Sequence, residues 1–375
     1  MNPFKAALLR ETGQPSPFSQ SHPLRIEICE LDPPGPGEVL IRIHAASLCH
    51  SDLSVVDGSR PRPMPMVLGH EAAGEVVETG QGVTDLAEGD KVVCIFVPNC
   101  GHCPRCHEGR PALCEPGAAA NLAGTLLNGG RRLRLAGAPV NHHLGVSGFA
   151  EYAVISRSSL VKVPADLKFE TAALFGCAII TGVGAVLNTA NVPVGSTVAI
   201  VGAGGVGLSC ILGAVLAGAR RIVVVDLNKN KLKFAQELGA TDAFDASAPD
   251  VIAKLKEATG GGVDFAFETA GVTPALALAY QITRRGGTTV TAGLPNPAHQ
   301  FSIPQISLTA EERTLKGSFM GSCVPQRDIP NYIEMFRRGR LPVEALVTHR
   351  IKLDEINEGF DLLATGNAGR ILLAI

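Results

Sequence analysis

The sequence predicts an α/β protein of two domains, one β-rich and one built on a doubly wound parallel sheet. Three observations predict it. At 375 residues the chain exceeds one ordinary domain. Its first half reads as short strands cut by Pro and Gly turns. After about Thr181 apolar strands alternate with helical runs, the rhythm of βαβ units.

In the first half, Gly37–Ala46 (GEVLIRIHAA) alternates apolar and polar positions, and Ala72–Glu78, Asp90–Ile95 and Glu151–Ile155 are short β-type runs. Pro33-Pro34-Gly35-Pro36-Gly37 and Gly80-Gln81-Gly82 supply turns between them. In the second half, Thr197–Val201 reads as a strand, Val206–Ala217 as a helix and Arg221–Val225 as a strand. Lys229–Leu238 follows as an amphipathic helix, then Gly262–Glu268 and Gly287–Ala292 as strands. From roughly Pro325 the pattern is mixed again. The expected boundaries are 1–178 for the β-rich domain, with 323–375 returning to it, and 179–322 for the parallel-sheet domain.

Composition narrows the function classes. The chain is 46% hydrophobic and 18% charged, as a globular protein is, and its net charge of −2 favours neither nucleic acid nor an anionic membrane as partner. Trp is absent and aromatics are 5%, so the core must rest on Val, Leu, Ile and Ala. The N-terminal MNPFKAALLRETG lacks the apolar stretch and cleavage site of a secretory signal. A cytoplasmic protein is therefore expected, whose ten cysteines stay reduced and suit metal better than disulfides. Thr171–Ala219 contains no Asp, Glu, Lys or Arg. Gly202, Gly204, Gly205 and Gly207 within it, and Arg220 and Arg221 just after it, fit a strand, a tight turn and a buried helix better than a membrane span.

Gly202-Ala203-Gly204-Gly205-Val206-Gly207 contains G-x-G-x-x-G where a strand meets a helix. Glycines there let backbone N–H groups approach a pyrophosphate at the helix N-terminus. Alone the string is weak, since a Gly-rich structural turn looks the same. Its context is specific: strand before, helix after, then a second strand ending in Asp226. A carboxylate there can accept hydrogen bonds from both ribose hydroxyls and would repel the extra phosphate of NADP, so NAD is the expected cofactor.

Cys100-x2-Cys103-x2-Cys106-x7-Cys114 places four thiols in a loop rich in Gly, Pro and His. Four thiolates close a tetrahedral shell around zinc and leave no position for substrate, so this metal would be structural. A four-cysteine iron–sulfur cluster of the bacterial type would end in x3 and then Pro.

A further set of motifs resembles the zinc-dependent medium-chain alcohol dehydrogenases. Gly69-His70-Glu71-Ala72-Ala73-Gly74, running on to Gly80 and Val83, is similar to their zinc signature. Ser47-Leu48-Cys49-His50-Ser51-Asp52, Phe175-Gly176-Cys177, the four-cysteine loop, the Gly202–Gly207 turn and Ile356-Asn357-Glu358-Gly359-Phe360 occur in matching order, nearly end to end. The resemblance implies a GroES-like catalytic domain, a Rossmann domain and a substrate cleft between them. It implies a second, catalytic zinc on Cys49, His70 and Cys177, two Zn2+ per chain in all; Cys2His ligation is the set general for alcohol dehydrogenase. Taken singly, Cys177 and His70 read as core residues, as Cys29, Cys94, Cys210 and Cys323 do here.

By the same resemblance Asp52 orients the zinc-bound imidazole, Glu71 lies behind the metal, and Ser51 takes the alcohol proton. Lys231 and Arg370 would contact ribose and pyrophosphate, although such bases are commonly solvated surface charges. Phe96, Leu144, Leu294 and Phe319, with Arg60 at the rim, would line the substrate pocket. An apolar lining favours medium-chain or aromatic primary alcohols, and relatives assemble through the Rossmann sheet as dimers or tetramers, with a homodimer expected first. Three positions depart from the family. Ser54 stands where liver enzymes end their proton relay in a histidine. His50 replaces an arginine on the pyrophosphate, and it could serve as terminal base or only as phosphate contact. Arg60 and Ala118 lack the acidic residue and arginine of glutathione-dependent formaldehyde dehydrogenases. A zinc-free quinone reductase would lack Cys49, His70 and Cys177, and a crystallin-type NAD-binding protein would need no open metal position. Which alcohol is used, and in which direction, the sequence leaves open.

Overall fold

The computed structural model describes residues 3–375; Met1 and Asn2, the start of the N-terminal segment read above, lie outside the described residues. The chain forms two compact units. One holds the described residues up to Cys177 with Val324–Tyr332 and Val347–Ile375, and the other holds Ala178–Cys323 and Ile333–Leu346. The sequence reading sent the whole tail to the first unit. Ile333–Leu346 groups with the second instead, where Val343–Leu346 packs on the helix Gly205–Leu216 and Ile333, Leu341, Val343 and Leu346 are buried.

In the first unit the spine is strand Glu38–Leu48, which pairs antiparallel with Ala72–Thr79, Tyr152–Ser156 and Arg370–Ala374. Its sheet extends through Lys91–Cys94 to Leu160–Lys162 on one side and to Val347–Lys352 on the other. The period-2 alternation serves two cores: Val39, Ile41 and Ile43 enter one apolar cluster and Leu40 another. Each such side chain contributes about 1.5–3 kcal/mol over an exposed one, so of this strand only Arg42 is fully exposed. A second layer is a closed barrel of Phe4–Leu9, Leu24–Leu31, Leu133–Leu135, Ala138–His142 and Met66–Val67. Its last two strands run parallel, Val67 opposite His142, so the segments that follow them emerge side by side.

The second unit is a six-stranded sheet, all parallel, in the order Asp242–Asp245, Arg221–Asp226, Thr197–Val201, Val263–Glu268, Thr283–Thr291, Thr314–Gly317. This is the doubly wound arrangement that the βαβ rhythm predicts. Thr197–Val201 is buried at every position, the continuous apolar run of a strand covered on both faces. Among the described residues no single helix is long and apolar enough to cross a membrane.

Candidate active site

Strand Glu38–Leu48 delivers Cys49 to the entrance of the helix His50–Val56, where Cys49 is the extended N-cap. Asp52 sits in that helix's first turn, where a carboxylate is favoured by the helix dipole. His70 and Glu71 follow strand Met66–Val67, and Cys177 interrupts the helical turns Leu174–Gly176 and Ala178–Gly184. These segments converge: Cys49, His70, Glu71 and Cys177 each offer a ligand atom within 4.8 Å of the others. Cys49 is half-buried and the other three are buried.

The electrostatics of this cluster are those of a cation site. Cys49 is held well below the ordinary thiol range, first by a hydrogen bond with Cys177 and then, against the penalty of burial, by His70 and Arg370. Burial opposes a charge on His70, yet Asp52 and Cys49 outweigh it and raise that imidazole to about 10. Donors that draw positive charge this strongly into a buried site suit a divalent ion, and two sulfurs with one imidazole are a zinc set that keeps a position open. The residues fit the metal that the resemblance implies.

Behind His70, its Nδ1 lies 3.0 Å from Asp52 Oδ1, which also accepts from the Gly69 N–H at 3.2 Å. With Nδ1 donating to a carboxylate, Nε2 is the nitrogen left that could hold a metal. Asp52 is fully buried; despite that penalty, the charge of His70 and bonds from His143 and His70 hold its carboxyl well below the usual range. The sequence reading missed His143, whose ring packs edge-on to His70. Nothing near it in the sequence marks it, because strand pairing brings it there.

Arg370, expected on the cofactor pyrophosphate, is only 4% exposed. It forms an ion pair with Glu71 and donates to Ser47 Oγ at 2.7 Å, because a buried guanidinium requires a counter-charge. Ser51 is half-buried, and His50 is exposed on the same turn, its carbonyl accepting from Ser54 Oγ at 2.8 Å. Phe96 packs edge-on to His70 with ring centroids 5.6 Å apart, while Leu144 and Arg60 are half-buried. Leu294 and Phe319 belong to the second unit and are 50% and 38% exposed.

The four-cysteine loop also closes. Cys100, Cys103, Cys106 and Cys114 place their sulfurs within 4.8 Å of one another. Cys103 Sγ lies 3.6 Å from Cys106 Sγ and 4.0 Å from Cys114 Sγ. A tetrahedron of ~2.3 Å zinc–sulfur bonds has edges of about 3.8 Å. Backbone N–H groups of Cys103, Cys100 and Gly117 donate to the sulfurs of Cys100 and Cys114 at 3.2–3.4 Å. No cysteine is in a disulfide.

In the second unit the helix Gly205–Leu216 starts from Gly204 without a side-chain cap, leaving first-turn N–H groups for an anion. Gly202 has φ +102° and a Cβ there would strike Ala270, whereas a Cβ on Gly204 would meet nothing within 4 Å. The turn is thus forced by Gly202, and the space beside Gly204 is room for a phosphate. Val206 and Gly207 continue that first turn. Asp226, ending its strand, accepts from the N–H of Ala203 at 2.6 Å and of Asn228 at 2.8 Å. It therefore ties the Gly-rich loop to the end of the strand Arg221–Asp226. Lys231 is half-buried on the helix Lys229–Glu237.

Known proteins share this arrangement. Residues 35–165 match the model for the alcohol dehydrogenase GroES-like domain, and residues 205–338 that for the zinc-binding dehydrogenase. A solved alcohol dehydrogenase zinc-binding domain protein from Burkholderia ambifaria is 36% identical over 100% of this chain and 99% of its own, with a TM-score of 0.93. A benzyl alcohol dehydrogenase from Acinetobacter calcoaceticus is 32% identical over the full length of both, also at 0.93. A putative zinc-binding dehydrogenase from Sinorhizobium meliloti, bound to NADP, is 27% identical over the full length of both at 0.80. With these matches and both ligand clusters assembled, the chain belongs to the zinc-dependent alcohol dehydrogenases of the medium-chain dehydrogenase/reductase family.

Proposed function

We propose that the protein interconverts medium-chain or aromatic primary alcohols and their aldehydes with NAD(H), using two zinc ions per chain with unequal roles. The observation that carries this reading is the buried convergence of Cys49, His70 and Cys177, with Asp52 behind the imidazole. Zinc bound there supplies Lewis acidity that makes an alcohol proton removable near neutral pH, and NAD supplies the hydride acceptor. The chain's own residues do the rest. Asp52 fixes the tautomer of His70, and Ser51 accepts the proton. The turn Gly202–Gly207 holds the pyrophosphate, and Asp226, with Lys231 nearby, holds the ribose. Arg370 neutralises Glu71 beside the ligands. Phe96, Leu144 and Arg60 form the substrate lining on the metal side.

Substrate class is checked by initial rates over an alcohol panel from ethanol to octanol and benzyl alcohol. Benzyl alcohol and octanol are expected to exceed ethanol in kcat/KM; the reverse order would sink the apolar-pocket assignment. The benzyl alcohol dehydrogenase among the similar structures supports this choice.

Cofactor choice is assigned to Asp226 and needs its own test, since the similar Sinorhizobium meliloti protein is bound to NADP. Asp226→Gly should weaken NAD and relax discrimination against NADP. Loss of charged hydrogen bonds to ribose should cost about 1.5–3 kcal/mol, roughly 10- to 160-fold in the NAD/NADP ratio of kcat/KM. Because Asp226 also ties down the Ala203 N–H, Asp226→Asn is the control that removes charge while keeping an acceptor. A native chain using both cofactors equally would overturn the assignment.

A homodimer is proposed through strand Thr314–Gly317. It is exposed throughout and, among the described residues, pairs only with Thr283–Thr291, so its other edge can receive the same strand of a second copy.

A further inference from the structure

We propose that His143 is a positioning residue that acts on His70 through Asp52. The inference rests on the reading that Cys49, His70 and Cys177 hold zinc. Asp52 is fully buried, and its hydrogen bonds fall on Oδ1, from Gly69 N–H at 3.2 Å and His70 Nδ1 at 3.0 Å. Its Oδ2 has no hydrogen-bond partner among the described residues. A carboxylate held through one oxygen orients the imidazole only as firmly as that oxygen is fixed. His143 adds a further restraint on that same oxygen. Its Nε2 lies 3.2 Å from Asp52 Oδ1, and its ring is 2% exposed. That approach is an ion-pair distance, and neither nitrogen of the ring makes a hydrogen bond among the described residues, so nothing competes with Asp52 for the ring. The two imidazoles meet edge-on, with centroids 5.7 Å apart.

The backbone shows that this placement is built. Because Val67 pairs in parallel with His142, the residues leading to His70 and His143 leave the barrel together. His143 then closes a tight turn: its N–H donates to Ser147 Oγ at 3.0 Å, and its carbonyl accepts from Val146 and Ser147. The turn is stitched to the approach to His70, with Gly148 N–H on the Gly69 carbonyl at 2.8 Å and Phe149 N–H on the Leu68 carbonyl at 3.0 Å. Two strand ends thus present two histidines to one carboxylate. Outer partners of a metal ligand govern metal affinity by fixing ligand orientation.

The test measures zinc retention in the purified holoenzyme, by competition with a chromophoric chelator. The zinc absent from Cys177→Ser identifies the catalytic-site fraction. His143→Phe, a ring without nitrogen, should lose that zinc at about tenfold lower chelator strength, while the four-cysteine zinc stays bound. His143→Gln, which keeps a donor, should restore most of the retention. In an Asp52→Asn background His143→Phe should change nothing further, since a residue acting through Asp52 cannot add to its removal. Native retention in His143→Phe, or additive losses in the double variant, would overturn the proposal. Should His143→Phe not fold, His143→Gln decides: near-native retention upholds the role and a loss as large as that of Asp52→Asn overturns it. A native protein holding no zinc beyond the four-cysteine ion would instead overturn the reading of the Cys49 cluster.

Discussion

Cys177→Ser should fold, keep one zinc and still bind NAD, yet turn over alcohol on the order of a thousandfold more slowly, about 4 kcal/mol of lost transition-state stabilisation. Cys177 is 6% exposed and a hydroxyl is close in size to a thiol, so packing barely changes. What changes is the charge. Cys177 is the first of the influences that hold Cys49 as a thiolate, so its loss removes one sulfur ligand and weakens the other. Steady-state rates and metal analysis check this together. Native turnover in a one-zinc Cys177→Ser protein would show that the Cys49 cluster is not where the chemistry occurs.

Cys103→Ser should act in the opposite manner, through stability. The loop from Cys100 to Cys114 holds only the short helical turns Pro104–His107 and Pro111–Leu113, too little structure to carry a core of its own. Cys103 is poised for metal: hydrogen bonding with the Cys106 backbone comes first in lowering its thiol to about 6. A structural zinc contributes ~10–16 kcal/mol in small zinc-folded peptides. Losing about 3 kcal/mol of that would lower Tm by roughly 6–12 °C. Calorimetry with zinc analysis checks it; an unchanged Tm with one zinc lost would make the loop's metal dispensable to the fold.

The parts of the site that were legible in the sequence are local ones. The strand Thr197–Val201, the turn after it and Asp226 lie within one βαβ unit, where residue order and spatial order coincide. The four cysteines are likewise a single loop. Strand Asp242–Asp245 was missed because DAFD is too short and polar to show a period, and Thr314–Gly317 because an exposed edge strand needs no apolar face. Cys49, His70 and Cys177 needed the family resemblance, since each alone is indistinguishable from a core residue. His143 and the Arg370–Glu71 pair were not foreseen at all. Both depend on strand register between distant segments, Val67 beside His142 and Leu48 beside Ile371, and register is set by tertiary packing rather than by neighbours in the chain.

The return of the chain to its first unit has a consequence for biosynthesis. Ser47, two residues before Cys49, is bonded to Ile371, 324 residues later, and the strand Arg370–Ala374 completes the sheet that carries Glu38–Leu48. The parallel-sheet unit draws on Ala178–Cys323 and Ile333–Leu346, so a nascent chain has all of it before that strand emerges. The stretch Ala178–Cys323 can therefore begin to fold while the first unit still exposes an open sheet edge, a template for pairing with other chains. Cys49, Glu71 and Cys177 all precede Arg370 in synthesis, so the charge that neutralises Glu71 is the last part of the cluster to be made.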